Sequence, residues 1–450
     1  MNERLLLFIR RMIYNMRGGV LIRPLLIALA LGCAGAVLSW AEETAPAISG
    51  WVPTLLFPSH ADPQIAQVIL SSIATSIMTV VSIVFAVLLM TLTLASAQFS
   101  PRIILSFTRD GVMQWTLGVF LGTFLYCVAA LPAARSLPTA FSPVATVFGA
   151  VLLALACVCW LLFFIHHISR AISVNQIVDK IASETESVID VMMPAERRQA
   201  RLRAASPPPD LVFDTPIASD RSGYIRFIDL ERLLDVAKSH RVSIHVPRRV
   251  GQFVPAGVPL MTIAKAERLR SEGRAALLDA FDIGPSRTLQ QDVEFGVLQI
   301  VDIALRALSP AVNDPSTAIT CIDQLSRILI RFAAREPPEP MLFDLHGVPR
   351  VVIGWVDFER LLDNAFEQIR LYSQGDVAVS LRILRAFGDI MITVPDRDLR
   401  ARLAARGRRI VAGCAARLDE TDLLEMNARL KVLEGRVTAL GAPTPEPASA

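Results

Sequence analysis

Four long apolar runs, each nearly free of charge, fill most of the first 165 residues: 20–40, 68–97, 112–131 and 141–165. A helix needs about 20 predominantly apolar residues to cross roughly 30 Å of hydrocarbon, so each run is a candidate span. Only Arg23 and Pro24 interrupt the first, near its start, and no later segment holds a comparable run. Over the 450 residues the hydrophobic share is 53% and the charged share 19%, against about 45–50% and about 25% in soluble domains. The excess lies in the spans, and the rest reads as ordinary soluble protein. The expected class is a mainly α-helical integral membrane protein: four transmembrane helices, then a mixed α/β cytoplasmic domain with a small β-module and a helical part. A net charge of +3 gives no basic stripe for nucleic acid, so no nucleic-acid partner is expected.

Orientation follows from the basic residues in the short flanks. Arg4, Arg10, Arg11, Arg17 and Arg23 come before or at the start of the first span, and 41–67 has no Lys or Arg but holds Glu42, Glu43 and Asp62. Arg102 and Arg109 follow the second span, Arg135 stands alone after the third, and Arg170 and Lys180 follow the fourth. Both termini are therefore expected in the cytoplasm, with 1–19 a cytoplasmic N-terminus and the first span an uncleaved anchor. Cys33, Cys127, Cys157 and Cys159 fall in spans, Cys321 and Cys414 in the cytoplasmic part. None lies in an extracytoplasmic loop, so no disulfide is expected. Cys157 and Cys159, two apart, do not share a helix face. His166 and His167 close the fourth span at the interface.

The second span is unusual. Its 30 residues reach about 45 Å at 1.5 Å per residue, more than the hydrocarbon thickness, so it must tilt or project. Ser72, Ser76, Thr79 and Ser82 recur at steps of four, three and three, which places them on one stripe. Thr75 flanks the stripe, and Thr91 and Thr93 continue the polarity. A pore lined by hydroxyls and close helix packing both use such a stripe. No ionisable residue lies inside this span, which argues against a proton relay or charge-coupled pump. Pro101 should break the helix, leaving Arg102 and Arg109 at the level of anionic lipid headgroups.

The expected cytoplasmic layout is a connecting helix within 166–205, a linker at Ser206-Pro207-Pro208-Pro209, a β-rich module over 210–265, a helical domain over 270–440 and a disordered tail at 441–450. Strands are expected at 223–228, 242–246 and 258–263, and a helix capped by Asp229 through 239. The stretch from Arg249 to Leu260, with Gly251 and Gly257 six apart, resembles the turns of biotinyl- or lipoyl-like β-domains. It lacks their lysine, which disfavours a carrier role. Beyond 287, helices are expected over 289–308, 315–334, 358–373, 377–392, 399–418 and 423–440, with a hairpin around His346-Gly347. The run Asp229-Leu230-Glu231-Arg232-Leu233-Leu234-Asp235 echoes Asp357-Phe358-Glu359-Arg360-Leu361-Leu362-Asp363. An Asp cap before an amphipathic helix explains that echo without a domain repeat.

The densest polar constellation is Asp292, Asp302, Arg306, Asn313 and Asp314, with Gln299 and Phe295 on the same helix. Asp302 and Arg306 are spaced for a helical ion pair, and Asp314-Pro315 for a cap and first turn. The carboxylates suit either a hard cation or an ion pair and cap that lock two helices. No triad, phosphate loop, zincin motif or kinase set is present. No catalytic residue, enzymatic activity or cofactor is therefore expected.

Gln98-Phe99-Ser100-Pro101-Arg102, Gln291-Asp292-Val293-Glu294-Phe295-Gly296, and the run from Val301 through Ser309-Pro310 to Asn313-Asp314-Pro315-Ser316-Thr317-Ala318 resemble the bacterial predicted membrane protein family labelled domain of unknown function 2254. Ala311 and Ser316 stand where the family pattern has Gly and a larger residue. The resemblance covers nearly the whole chain and implies a multi-span protein of the bacterial inner membrane with a cytoplasmic domain. It supplies no substrate. The expected function is a homo-oligomeric ion or small-solute channel with a regulatory cytoplasmic domain, in contact with membrane lipid and with copies of itself. The alternative is a membrane-anchored sensor or scaffold that binds a protein partner.

Overall fold

The computed structural model describes residues 22–45, 62–98, 111–135, 141–171, 173–193, 211–393 and 396–438. The expected N-terminal segment 1–19, Pro101, the linker at 206–209 and the tail at 441–450 lie outside the described residues. The chain divides into two compact units between Ser173 and Val174.

The first unit holds α1 (Ile22–Thr44), α2 (Pro63–Gln98), α3 (Gly111–Ala130), a 3-10 turn (Leu131–Ala133) and α4 (Val144–Ala171). All four helices are long and apolar enough to cross a membrane. Asp62 accepts the N–H of Gln64 at 3.0 Å and Pro63 fills the first position, which suits a ring without an N–H. The helix therefore starts before its apolar run and reaches 36 residues. Helix α3 is the hub, packing on α1, α2 and α4. Gly118 and Gly122 give it a GxxxG strip against Ile27 and Leu31 of α1, where small residues let backbones approach. On α1, a Cβ added at Gly35 would lie 2.6 Å from the carbonyl oxygen of Tyr126. Ala66, Leu70 and Ala74 of α2 pack with Tyr126, Cys127 and Ala130 of α3 and with Val147 and Ala150 of α4. Ile77, Phe120 and Cys157 form the next layer. Polar ties cross these layers: Trp160 Nε1 donates to Thr116 Oγ1 at 2.9 Å, and Tyr126 OH to the Thr146 carbonyl at 3.1 Å.

The second unit runs α5 (Val174–Met192), β1 (Thr215–Ala218), β2 (Gly223–Ile228), α6 (Leu230–His240), β3 (Ser243–Val246), β4 (Phe253–Val254), β5 (Pro259–Ala264), α7 (Ser271–Leu278), β6 (Phe281–Gly284), α8 (Val293–Ala307), α9 (Pro315–Ala333), β7 (Met341–Phe343), β8 (Pro349–Ile353), α10 (Phe358–Tyr372), α11 (Val377–Thr393), α12 (Arg397–Cys414) and α13 (Glu420–Thr438). Five strands form a sheet in the order β1-β5-β3-β8-β7, and three form another in the order β4-β2-β6. All pairs are antiparallel except β3 with β8, where Ile244 aligns with Val351 and Val246 with Ile353. The core between the strands and α6 includes Ile217, Ile225, Leu233, Ile244, Leu260, Ile263, Phe281 and Val351. In the helical layer Phe366 and Phe387 meet edge to face, 5.3 Å between centroids.

Two expected boundaries are corrected. The sheets do not stop at 265, because β6 pairs with β2 and β8 with β3. A strand edge inside a core needs a partner for its N–H and C=O groups, and here the partner lies about 100 residues further along the chain, at 349–353. The β-module and the helical part therefore share their sheets. Nor is α5 a free connector. It packs on α8 and α9 and buries Ile177, Val178, Ile181, Ala182 and Ile189. The helix expected from 289 begins at Val293, because Asp292 takes the cap position. Asp229 and Asp357 likewise cap α6 and α10, accepting the N–H groups of Arg232 and Arg360. That cap accounts for the echo between the two runs.

Candidate functional site

Ser72, Ser76, Thr79 and Ser82 are all exposed within the chain. They sit on the face of α2 opposite Ala66, Leu70, Ala74 and Ile77, which face the other helices. The two sets lie about half a turn apart at 3.6 residues per turn. Thr79 Oγ1 donates to the Thr75 carbonyl at 3.1 Å and Ser82 Oγ to the Met78 carbonyl at 2.9 Å. Ser71 and Thr75 donate within the helix in the same way. The stripe is thus an outward, hydroxyl-bearing surface whose bonded hydroxyls still offer oxygen lone pairs. Arg102 and Arg109 lie outside the described residues.

The five residues of the polar constellation do not form one cluster. Asp292 stands before the first residue of α8 and Asp314 beyond its last, about 22 Å apart at 1.5 Å per residue. Asp302 and Arg306 lie between them on α8, both half-buried. At the far end the Ser309 carbonyl accepts the N–H of Asn313 at 2.9 Å, and Asn313 adopts the left-handed region at φ 47°. Asp314 then caps α9, accepting from Thr317 N at 3.1 Å and Thr317 Oγ1 at 2.6 Å. The Thr317 hydroxyl holds its carboxyl below the usual carboxylate range. Among the described residues no group of three or more His, Cys, Asp or Glu is placed to hold a metal ion.

The other end carries a buried ionic seam. Asp292, 3% exposed, receives Arg287 Nε at 2.7 Å and Nη2 at 2.8 Å, and accepts the Phe295 N–H at 3.0 Å. Arg287 also lies over the Phe295 ring, 5.5 Å from its centroid. The Gln291 amide bonds both ways with the backbone of Ile228, at 2.9 and 3.2 Å, so α8 is pinned to β2. Glu294, 7% exposed, accepts Arg360 Nε at 2.6 Å and Asn364 Nδ2 at 3.0 Å, with Arg249 Nη2 at 3.9 Å. Gly251, at φ +86°, has no room for a Cβ beside the Asp292 carboxylate, and Gly296 none beside the Thr185 hydroxyl of α5.

The stretch from Gln291 to Gly296 thus joins β2, the 249–252 turn, α5 and α10. Sequence reasoning singled out Asp292 but neither Arg287 as its partner nor Gln291, Glu294, Arg249, Arg360 and Gly251 as members of the same seam. The one local signal was the carboxylate pair Asp292 and Glu294 at a helix start. Beside the seam, Met192, Met193, Arg249, Trp355 and Val356 line a groove of about 30 Å³, room for a water rather than for a metabolite.

Residues 17–389 match the family described as "Predicted membrane protein (DUF2254)". The uncharacterized proteins Mb1321c of Mycobacterium bovis and Rv1290c of Mycobacterium tuberculosis are each 32% identical to this chain over 378 residues, covering 82% of it and 71% of each relative. No solved structure matches. With 17–389 matched, the quoted motifs fall inside the family, and the chain belongs to the DUF2254 family of predicted membrane proteins.

Proposed function

We propose that this protein is a homo-oligomeric channel of the bacterial inner membrane, passing an ion or small solute along α2, with the second unit as a cytoplasmic regulatory domain. The observation that carries this reading is the direction of the hydroxyl stripe. Ser72, Ser76, Thr79 and Ser82 face away from the rest of their own chain, so copies arranged about an axis would bring these oxygens to the centre. Glycine-tight packing between α1 and α3 leaves little room between those helices, which supports placing a pathway at an axis between copies.

One observation favours a membrane-anchored sensor or scaffold instead. The bonded hydroxyls of the stripe donate to their own helix, which lets such a face meet lipid or another helix without any water path.

Flux through purified protein in liposomes, with Thr79→Leu alongside, separates the two. A channel loses most of its flux on substitution. Folded, oligomeric protein that passes no common ion or small solute overturns the open-channel reading and leaves the scaffold.

A further inference from the structure

Helix α5 is gripped along one flank by charge. Asp179, Ser183, Glu186 and Asp190 follow one another at steps of four, three and four and make one stripe. Opposite them stand Arg327 and Arg331 of α9 and Arg335 just beyond it. Arg327 reaches Glu186 with Nε at 3.0 Å and Nη2 at 2.6 Å, and Asp179 with Nη1 at 2.8 Å. Asp190 takes Arg331 in a fork at 2.9 and 2.6 Å, and Arg335 at 2.7 Å. The adjoining flank is apolar, and there the Thr185 hydroxyl sits in the notch left by Gly296.

The character of this grip is unlike that of the seam at Asp292. Most of the charged groups stay wet: the side chains of Arg327 and Asp179 are 41% and 58% exposed. Pairs of this kind set the register of a helix, yet water and salt reach them. The strand core contains no residue of α5.

We propose that α5 is a releasable element of the second unit. The arginine–carboxylate zipper holds it in register on α9, and it detaches as a unit while both sheets stay folded. This holds whether or not the helices of the first unit conduct.

Hydrogen exchange by mass spectrometry on the full chain in nanodiscs tests it. Arg327→Glu with Arg331→Glu should speed exchange across 174–192 by about tenfold or more and leave β3, β5 and α10 at wild-type rates. Adding Glu186→Arg and Asp190→Arg should restore protection, and raising salt from about 0.05 to about 1 M should speed the same amides in the wild type. Unchanged exchange in 174–192 overturns the proposal. So does loss in step across the sheets that the charge swap does not recover. If the reversed chain does not fold, Gly296→Ala decides by the same readout: selective loosening of 174–192 that Thr185→Ala reverses supports release, and any other pattern overturns it.

Discussion

Glu42 at the end of α1 caps α4 through Thr146: its carboxylate accepts both the backbone N–H of Thr146, at 3.1 Å, and the side-chain hydroxyl, at 3.0 Å. The N–H of Ala145 adds a third bond at 2.8 Å, and Glu42 is only 2% exposed. A carboxylate at a helix N-terminus satisfies donors that have no partner inside the helix. The neighbouring Glu43 pairs with Arg135, so the α1 and α4 ends and the turn after α3 are tied together by charge. Replacing Glu42 with Ala should cost about 2–4 kcal/mol, the loss of charged hydrogen bonds at a buried cap. Glu42→Gln, which keeps an acceptor, should cost less than half of that. Thermal unfolding of the two variants in detergent checks the order, and equal losses would contradict the cap.

At Gly35 the backbone of α1 lies close against the backbone of α3. A methyl group there meets the Tyr126 backbone, not a side-chain end that can swing away. Gly35→Ala should therefore destabilise the first unit by about 1–3 kcal/mol, as overpacking does. Gly122→Ala meets the Leu31 side chain, its Cδ1 at 2.5 Å and its Cβ at 3.1 Å, and should cost less than Gly35→Ala, because the tightest of those contacts is a flexible end and not backbone. The same melts compare them.

Asp292 and Asp314 both cap helices, but only Asp292 is also a buried ion-pair partner. Asp292→Ala should cost about 3–5 kcal/mol, since Arg287 is left without its counter-charge in a buried setting. Asp314→Ala should cost about 0.5–2 kcal/mol, the range for a lost cap. Neither loss should change with added calcium or magnesium or with chelator, because each carboxylate is already bound by protein donors. Denaturant titrations with and without divalent cation check this, and a cation-dependent wild-type midpoint that Asp314→Ala abolishes would restore the cation-site reading.

Acid should weaken the second unit. The Arg331 guanidinium holds the Asp190 carboxyl below its usual range, Thr317 does so for Asp314, and Arg370 for Glu367. Groups with lowered pKa bind fewer protons folded than unfolded, so their contribution is complete above the ordinary carboxylate values near about 4. It is lost as pH falls through the lower folded values. Melting temperatures taken downward from pH 6 should hold to about pH 5 and then fall. Asp190→Asn should flatten part of that fall, and an unchanged acid limb would show that this pairing is not the source.

How much was legible in the chain differs between the units. Apolar runs of 20 or more residues declare helices long enough to cross a membrane without reference to anything distant. In the second unit, Asp229, Asp314 and Asp357 announced their helices for a similarly local reason, since a cap acts within three residues. The GxxxG strip at Gly118 and Gly122 was present in the sequence too, yet it names no partner helix. Glu42 read as one acid in a loop, and only folding brought it to Thr146, 104 residues away.

Local periodicity and capping chemistry by themselves determined which helices are apolar enough for a membrane and most of the helices and strands of the second unit, though not β1, β4, α7 or β6, because those preferences act over one or two turns. The tertiary structure alone decided that β8 completes the edge of β3, that Asp292 and Asp314 stand apart, that Gly296 makes room for Thr185, and that the hydroxyls of α2 face outward. Each of these depends on which surfaces meet after the chain closes long loops. Loop closure makes only a slow, sequence-independent demand, so no local pattern records it.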